Sequence, residues 1–300
     1  MTTNLISAKN PKVSIVILNW NGIKDTIECI DTLMDITYNN YEIFVIDNNS
    51  LDNEALMLEQ KYTSYVKVIK SGEYRTIQQA KNLATQNIVL AGQTKYILFL
   101  DNDILVTPDF LSILLYSATL IPNVGIVGPK IFNYYDTRRL SGMGGFFNYW
   151  TGFHHEMGFN NTVGFKYKNA IAVDYVTPTC MLVAMQLINK IGMWDETIVI
   201  AHDDTDICKR ATDSGFKVLL STNSEVFHKE RSRYLVNVGG KRIGLYIIAR
   251  FRFMYKHCNV FQFVTSSLCY FLLEIPYLIL KYLLRRTHYH MNNKRTNSSG

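Results

Sequence analysis

The chain has 300 residues, 48% of them apolar and 19% charged, with a formal net charge of +6. That is enough apolar material for one large core, or a domain plus an appendage. Five widely spaced cysteines without a Cys-x-x-Cys pair argue against a disulfide framework or zinc site, and the absence of a basic, aromatic-interleaved run before residue 240 sets nucleic-acid binding aside.

Val13–Leu18 reads VSIVIL, a β-branched run suited to a strand buried on both faces. Asn19-Trp20-Asn21-Gly22 breaks it, and Ile23, Ile27, Ile30, Leu33 and Met34 then follow at helical spacing. Glu42–Ile46 is predicted as a second strand ending at Asp47-Asn48-Asn49-Ser50, with a helix over 51–62. Val66–Ile69 is a brief third strand and 77–86 a helix. Tyr96–Leu100 is a fourth strand, ending at Asp101-Asn102-Asp103. Strands alternating with helices imply an α/β fold with a mainly parallel sheet flanked by helices. Residues 133–172, rich in Gly, Asn, Tyr and Phe, are expected to be an active-site loop region. A strand through Cys180–Val183, a helix over 204–214 ended by Gly215, and a strand at Lys217–Leu220 complete the regular part.

The polar clusters follow strand ends, the edge where open α/β sheets bind ligands. Asp101 and Asp103, spaced i, i+2, can both reach one hard cation, Mg²⁺ or Mn²⁺, if the chain turns there. An exposed turn with polar caps would use the same residues. Asp47 could accept hydrogen bonds from a base or ribose, or cap the helix after Ser50. Asp203, Asp204 and Asp206 suit a first helical turn, but three acids in four residues exceed what capping needs and point to a base, a cation or a sugar hydroxyl. Arg210 is placed to pair with Asp206 at i, i+4. His228 ends the segment Glu225-Val226-Phe227, where a lone histidine is ordinarily structural. Gly142–Gly145 lacks the Gly-Lys-Ser/Thr of a phosphate loop.

Beyond residue 235 the chain changes character. Residues 240–257 place Ile243, Ile247, Phe251 and Met254 on one helical face, with Arg250, Arg252 and Lys256 elsewhere. Phe261–Leu284 is strongly apolar but interrupted by Gln262, Glu274, Pro276 and Lys281. These features predict a catalytic domain over 1–235 and a basic, apolar helical tail over 236–300 that lies on a membrane surface rather than spanning it. Met1–Lys12 is polar and has no signal-peptide core, so the expectation is the cytoplasmic face of that membrane, peripheral or C-terminally anchored.

Seven segments, in order, resemble the family-2 inverting glycosyltransferases of the GT-A fold, and within them the rhamnosyl- and galactofuranosyltransferases. They are VSIVILNWNG (13–22), VIDNNS (45–50), YILFLDND (96–103), VDYVTPTCMLV (173–183), GMWDE (192–196), DDTDICKRATDSGF (203–216) and EVFH (225–228). The resemblance implies a nucleotide-sugar donor bordered by Asn19, Asn21, Asp47, Asn49 and Asp101. It implies a divalent metal, Mn²⁺ or Mg²⁺, held by Asp101, Asp103 and His228. It makes the pair Asp203-Asp204 catalytic, with Asp204 as base. The implied acceptor is a glycan or polyprenol-linked hydroxyl, as in cell-envelope polysaccharide synthesis. The chain departs from the family in SGEYRTIQQAKNLAT (71–85) and in Pro178-Thr179, which bear on the donor. Two other readings compete. One is a membrane-bound glycan-binding pseudo-transferase, for which the altered 71–82 segment speaks and the intact acids do not. The other is a haloacid-dehalogenase-type phosphatase, whose nucleophilic Asp would belong on the first strand rather than the fourth.

Overall fold

The computed structural model describes residues 10–158, 169–229 and 240–277, the last stretch with side chains from residue 244. Strand β1 (Val13–Asn19), helix α1 (Ile23–Met34), β2 (Tyr41–Asp47), α2 (Glu54–Lys61), β3 (Val66–Lys70), α3 (Ile77–Ala91) and β4 (Tyr96–Asp101) alternate along the chain. In space the strands run β4-β1-β2-β3 and are all parallel. The chain builds outward from β1 to β3 and then returns to place β4 on β1's other side. Between β1 and β4 the winding reverses, and the crevice outside the carboxyl ends of such strands is the natural ligand site.

The second half extends the sheet. It comprises β5 (Ile104–Val106), α4 (Phe110–Thr119), β6 (Val124–Asn133), β7 (Asp136–Gly142), β8 (Gly145–Asn148), β9 (Phe153–Glu156), β10 (Ala170–Ala172), β11 (Cys180–Ala184), α5 (Met185–Ile191), α6 (Asp203–Asp213) and β12 (Lys217–His228). β11 runs antiparallel between β4 and β6, and β12 runs parallel to β6. β7 pairs with β6, β5 and β10 pair with β12, and β8 pairs with β9.

Residues of alternating parity on the strands feed two cores, one on each sheet face. Val13, Ile15, Ile17, Val45, Leu98 and Leu100 pack with Ile30 and Leu33 of α1, Leu58 of α2 and Leu114 of α4. Val16, Phe44, Ile46, Ile97 and Phe99 pack with Ala84 and Ile88 of α3, Leu187 of α5 and Ile207 of α6. Period-two alternation on a sheet covered on both sides makes most strand residues apolar, which is why β1 reads as a nearly continuous run, with Ser14 buried through hydrogen bonds to Glu42 and Thr94. Each large aliphatic side chain so buried contributes about 1.5–3 kcal/mol.

Several elements differ from the sequence expectations. Residues 133–172 are not chiefly loop: among the described ones, β7 to β10 occupy much of the stretch, as antiparallel pairs whose sequence carries too little β-branched apolar character to announce them. Helix α2 starts at Glu54, because Asp52 and Asn53 take left-handed backbone angles (φ 56° and 57°) that cannot belong to the body of a right-handed helix. Helix α3 runs on to Ala91, between a Thr76/Gln79 capping box and Gly92 at φ 74°. β12 continues through to His228 across an irregularity between Leu220 and Glu225.

The chain forms two compact units: Met1–Phe146 with Glu156–Phe253, and Phe147–His155 with Met254–Gly300. Helix α7 (Gly240–His257) crosses the division. Within the first unit its buried residues are Ala249, Arg250 and Phe253; of the predicted face, Ile247 and Phe251 are half-buried, and Met254, which is counted with the second unit, is buried. The side chain of Ile243, and the tail beyond Tyr277, lie outside the described residues. The second unit holds the β8–β9 turn and helix α8 (Val260–Cys269), which continues through a π-helical turn at Tyr270–Glu274. Asn259 and Gln262 form the capping box of α8, so Gln262 starts the helix rather than interrupting it.

Candidate active site

β1, β2 and β4 end level with one another: Asn19 is in register with Asp47, and Leu18 with Asp101. Parallel pairing therefore brings Asn19, Asp47 and Asp101 to one edge from three distant stretches of sequence.

On the β1–β2 side the polar groups are already knitted together. The Asn19 amide donates to Asp47 Oδ1 (3.1 Å), Glu54 Oε2 (2.9 Å) and Ser50 Oγ (3.2 Å), and its carbonyl accepts from Thr26 Oγ1 (2.7 Å). Asp47 Oδ2 accepts from the Ser50 amide at 3.2 Å, closing a turn rather than capping α2. Asn21 Oδ1 accepts from the Leu51 amide (2.7 Å), which ties the two strand-end loops together. Asn49 is exposed, with φ 62°. Its neighbour Asn48 is the ordered one, 2% exposed and bonded twice to the backbone of Arg75. Trp20 and Tyr74, each more than half exposed, form a tilted pair 5.0 Å apart at the same edge. Glu54 has no sequence signal for its place here, since only pairing across the strand ends brings it to Asn19.

Asp101 and Asp103 lie at the β4 end, and β12 brings His228 to them. The candidate ligand atoms of these three half-buried residues all lie within 4.8 Å of one another. His228 Nε2 is 3.1 Å from Asp103 Oδ1. Adjacent ligands of an octahedral ion bound at about 2.1 Å sit about 3 Å apart, so this spacing fits a Mg²⁺- or Mn²⁺-sized cation. The donor set, two carboxylates and an imidazole, fits the same ions. Burial pushes the Asp101 carboxyl up to about 6, against the lowering effect of Lys81 and with further raising by Asp103. A cation would relieve that cost. Between the two acids, Asn102 points back to α1, donating to Thr26 Oγ1 at 3.0 Å. Gly22 makes this possible: a Cβ there would lie 2.5 Å from Asn102 Nδ2.

The third group opens α6. Asp206, 1% exposed, pairs with Arg210 at 2.8 Å, and Arg210 also donates to the carbonyls of Ile191 and Met193. That acid is structural, as its i, i+4 spacing predicts, and Asp203 and Asp204 remain. Burial first, then the charge of Asp203, pushes Asp204 up to about 7, opposed by hydrogen bonds from the Thr205 amide and hydroxyl. Asp203 also raises Asp101, and Lys81 lowers both Asp101 and Asp204, so the two acidic clusters share one electrostatic field.

Two supports of this region were invisible in sequence. Lys81, 6% exposed on α3, sits 4.1 Å over the Trp194 ring. Beside it, Asn82 exchanges hydrogen bonds with the Trp194 backbone and donates to Glu196 (2.8 Å), which docks the GMWDE segment on α3. The loop before α6 is strained: Ile200 and His202 have φ of 75° and 64°. Helix α7 braces it. Phe253 stacks on His202 at 5.1 Å, and Arg252 donates to the Thr197 carbonyl at 2.5 Å. Arg250 is buried, whereas Arg252 is exposed.

Comparison with known proteins places these features. The chain is 26% identical over 239 residues to an uncharacterized protein of Sinorhizobium fredii, covering 73% of this chain and 24% of that one. It is 26% identical over 145 residues to the glycosyltransferase GlyG of Streptococcus pneumoniae, covering 47% and 44%. It thus spans less than half the length of either relative. Among solved structures it resembles the mannosyltransferase PcManGT from Pyrobaculum calidifontis in complex with GDP-Man and Mn²⁺, with TM-score 0.61, 15% identity and 89% and 71% coverage. It also resembles GalNAc-T7 with UDP, GalNAc and Mn²⁺, with TM-score 0.59, 16% identity and 73% and 44% coverage. The fold is the Rossmann-like GT-A arrangement expected from the sequence. Residues 14–192 match the model of "Glycosyl transferase family 2", a stretch that holds Asp47, Asp101 and Asp103 and stops before Asp203. The chain belongs to glycosyl transferase family 2.

Proposed function

We propose that the protein is an inverting glycosyltransferase, moving a hexosyl or deoxyhexosyl group from a nucleotide-diphosphate donor to an acceptor hydroxyl. The observation that carries this reading is the convergence of Asp101, Asp103 and His228 within 4.8 Å at the sheet edge, linked through Asp203 and Lys81 to the electrostatics of an elevated Asp204. Asn19, Asn21, Asp47 and Asn49 border the nucleotide, and the exposed Trp20–Tyr74 pair offers a flat face for its base. Asp101, Asp103 and His228 would hold a divalent cation, Mn²⁺ or Mg²⁺, which when bound would supply charge stabilisation to the diphosphate. Asp204 takes the proton from the acceptor hydroxyl as the oxygen attacks the anomeric carbon opposite the leaving group. A pKa near 7 is matched to that task at neutral pH. Asp203 keeps the Asp204 pKa high and orients the acceptor.

The fingerprint motifs favour a rhamnosyl- or galactofuranosyl-type donor and a glycan or polyprenol-linked acceptor of cell-envelope polysaccharide synthesis. We assign catalysis to residues 1–235, with α7 as its brace, and membrane attachment at the cytoplasmic face to the tail over 236–300. Val260–Tyr277 is long and apolar enough to cross a membrane by length and composition, and only 11% of it is buried. Val260, Phe261, Leu268 and Leu272 are exposed there, as is Trp150 in the same unit. Lys256 beside them favours a helix lying in the interface. The test is a panel of nucleotide-sugars, read as nucleoside diphosphate release with and without Mn²⁺. No release from any donor in Mn²⁺ would overturn the reading.

A further inference from the structure

We propose that Lys229 is a positioning residue that holds His228 opposite Asp103, by anchoring the end of β12 on the acidic first turns of α1. The inference rests on the metal reading of Asp101, Asp103 and His228 and adds a residue that touches none of the reacting atoms. The Lys229 side chain is only 7% exposed, unusual for a lysine at a strand end. Its ammonium pairs with Glu28 and with Asp25 (3.4 Å) and lies 5.7 Å from the Tyr134 ring centroid. Those carboxylates hold its pKa above the ordinary lysine value despite burial.

The backbone around it is clamped as well. The Lys229 amide donates to the Asp103 carbonyl at 3.0 Å, and the His228 carbonyl accepts from the Tyr134 amide at 2.9 Å. The end of β12 is registered over Val226–His228 with β5 on one side and over Glu225–His228 with β6 on the other, and both ladders stop at His228. One turn of α1 thus reaches across to Lys229, the residue directly after the last paired one. His228 is fixed on both flanks, by the strand pair before it and the lysine anchor after it. Such supports of a metal-binding imidazole commonly govern metal affinity by 10- to 100-fold.

The experiment is a titration of the full-length protein with Mn²⁺ alone, following the free-ion electron paramagnetic resonance signal, with thermal melting of every variant alongside. Lys229→Met keeps the stem and removes the charge. It should weaken Mn²⁺ binding by about tenfold, with a melting temperature close to wild type, and Lys229→Arg should restore most of the affinity. The double variant Asp25→Asn, Glu28→Gln removes the anchor from the other side and should act in the same direction, so the inference stays testable if Lys229→Met does not fold. His228→Ala and Asp103→Ala serve as references. If both bind Mn²⁺ as wild type does, the metal reading itself fails. If both lose it while Lys229→Met and the double variant bind normally, the metal reading stands and the positioning role is overturned.

Discussion

Asp103 Oδ1 and His228 Nε2 face each other at 3.1 Å, although one lies in the turn after the fourth strand and the other ends the twelfth. The contact exists because β5, directly after Asp103, turns back to pair antiparallel with β12, setting Ile104 against His228. Neither residue has a local reason to be near the other. A three-residue strand, too short to stand out in sequence, completes the acidic site.

Asp103→Ala should lower turnover by about a hundredfold or more, the scale of losing a principal electrostatic stabiliser. Initial rates in Mn²⁺ and after EDTA treatment check it. Full activity of this variant in EDTA would sink a metal-assisted mechanism.

Mn²⁺ affinity should fall as pH drops through about 6, where burial places the Asp101 proton. Metal binding needs the deprotonated carboxylate, so protonation and Mn²⁺ compete, and affinity is fully present only above that value. Calorimetric titrations between pH 5 and 8 read this directly. A pH-independent affinity over that range would remove Asp101 from the ligand set.

Asp204→Asn should abolish turnover while leaving donor binding near wild type, since the amide keeps shape but takes no proton. In the wild type, the rate should rise with pH through about 7, the value to which burial and Asp203 push Asp204. A stability effect accompanies it. A carboxyl whose folded pKa is raised binds more protons folded than unfolded, so its contribution is lost as pH rises between the unfolded value and about 7. Asp204→Asn should therefore melt higher than wild type at pH 8. If Asp203→Asn is dead and Asp204→Asn active, the base is the other member of the pair.

Gly22→Ala should disturb the acidic loop, because its Cβ would come within 2.5 Å of Asn102 Nδ2 and break the bond to Thr26. The expected cost is about 1–3 kcal/mol, with weaker Mn²⁺ binding. Asn102→Ala in the same background should relieve the clash and recover stability, and a melting series of the three variants decides the matter.

A chain ending at His257 keeps Phe253 on His202, whereas one ending near Tyr234 loses it. The shorter chain should be inactive or unstable, and Phe253→Ala alone should cost about 3–5 kcal/mol. The chain ending at His257 should leave the membrane fraction and retain donor hydrolysis. Full-length protein that is soluble and monodisperse without detergent would exclude anchoring through α8. Release by high salt or carbonate would support an interfacial helix, and release by detergent alone a span.

By itself the sequence determined the α/β class, the strands β1 to β4 and the polar groups at their ends. It could do so because strands buried on both faces, as β1, β2 and β4 largely are, must be mostly apolar and stop where polar residues begin, while the edge strand β3 shows itself by its apolar Val66, Val68 and Ile69. It also announced the Asp206–Arg210 pair, since helical spacing places those side chains together. Tertiary structure decided the rest. Among the described residues of 133–172 lie four strands, β7 to β10, because short antiparallel segments draw their stability from partners rather than from their own composition. Asn48 rather than Asn49 became the ordered residue, because only one of two neighbouring side chains can face inward at a strand end. Lys81, Glu54 and Lys229 look like ordinary surface charges in the sequence. They are buried because partners from distant helices and strands meet them there, and a partner's position is a property of the fold.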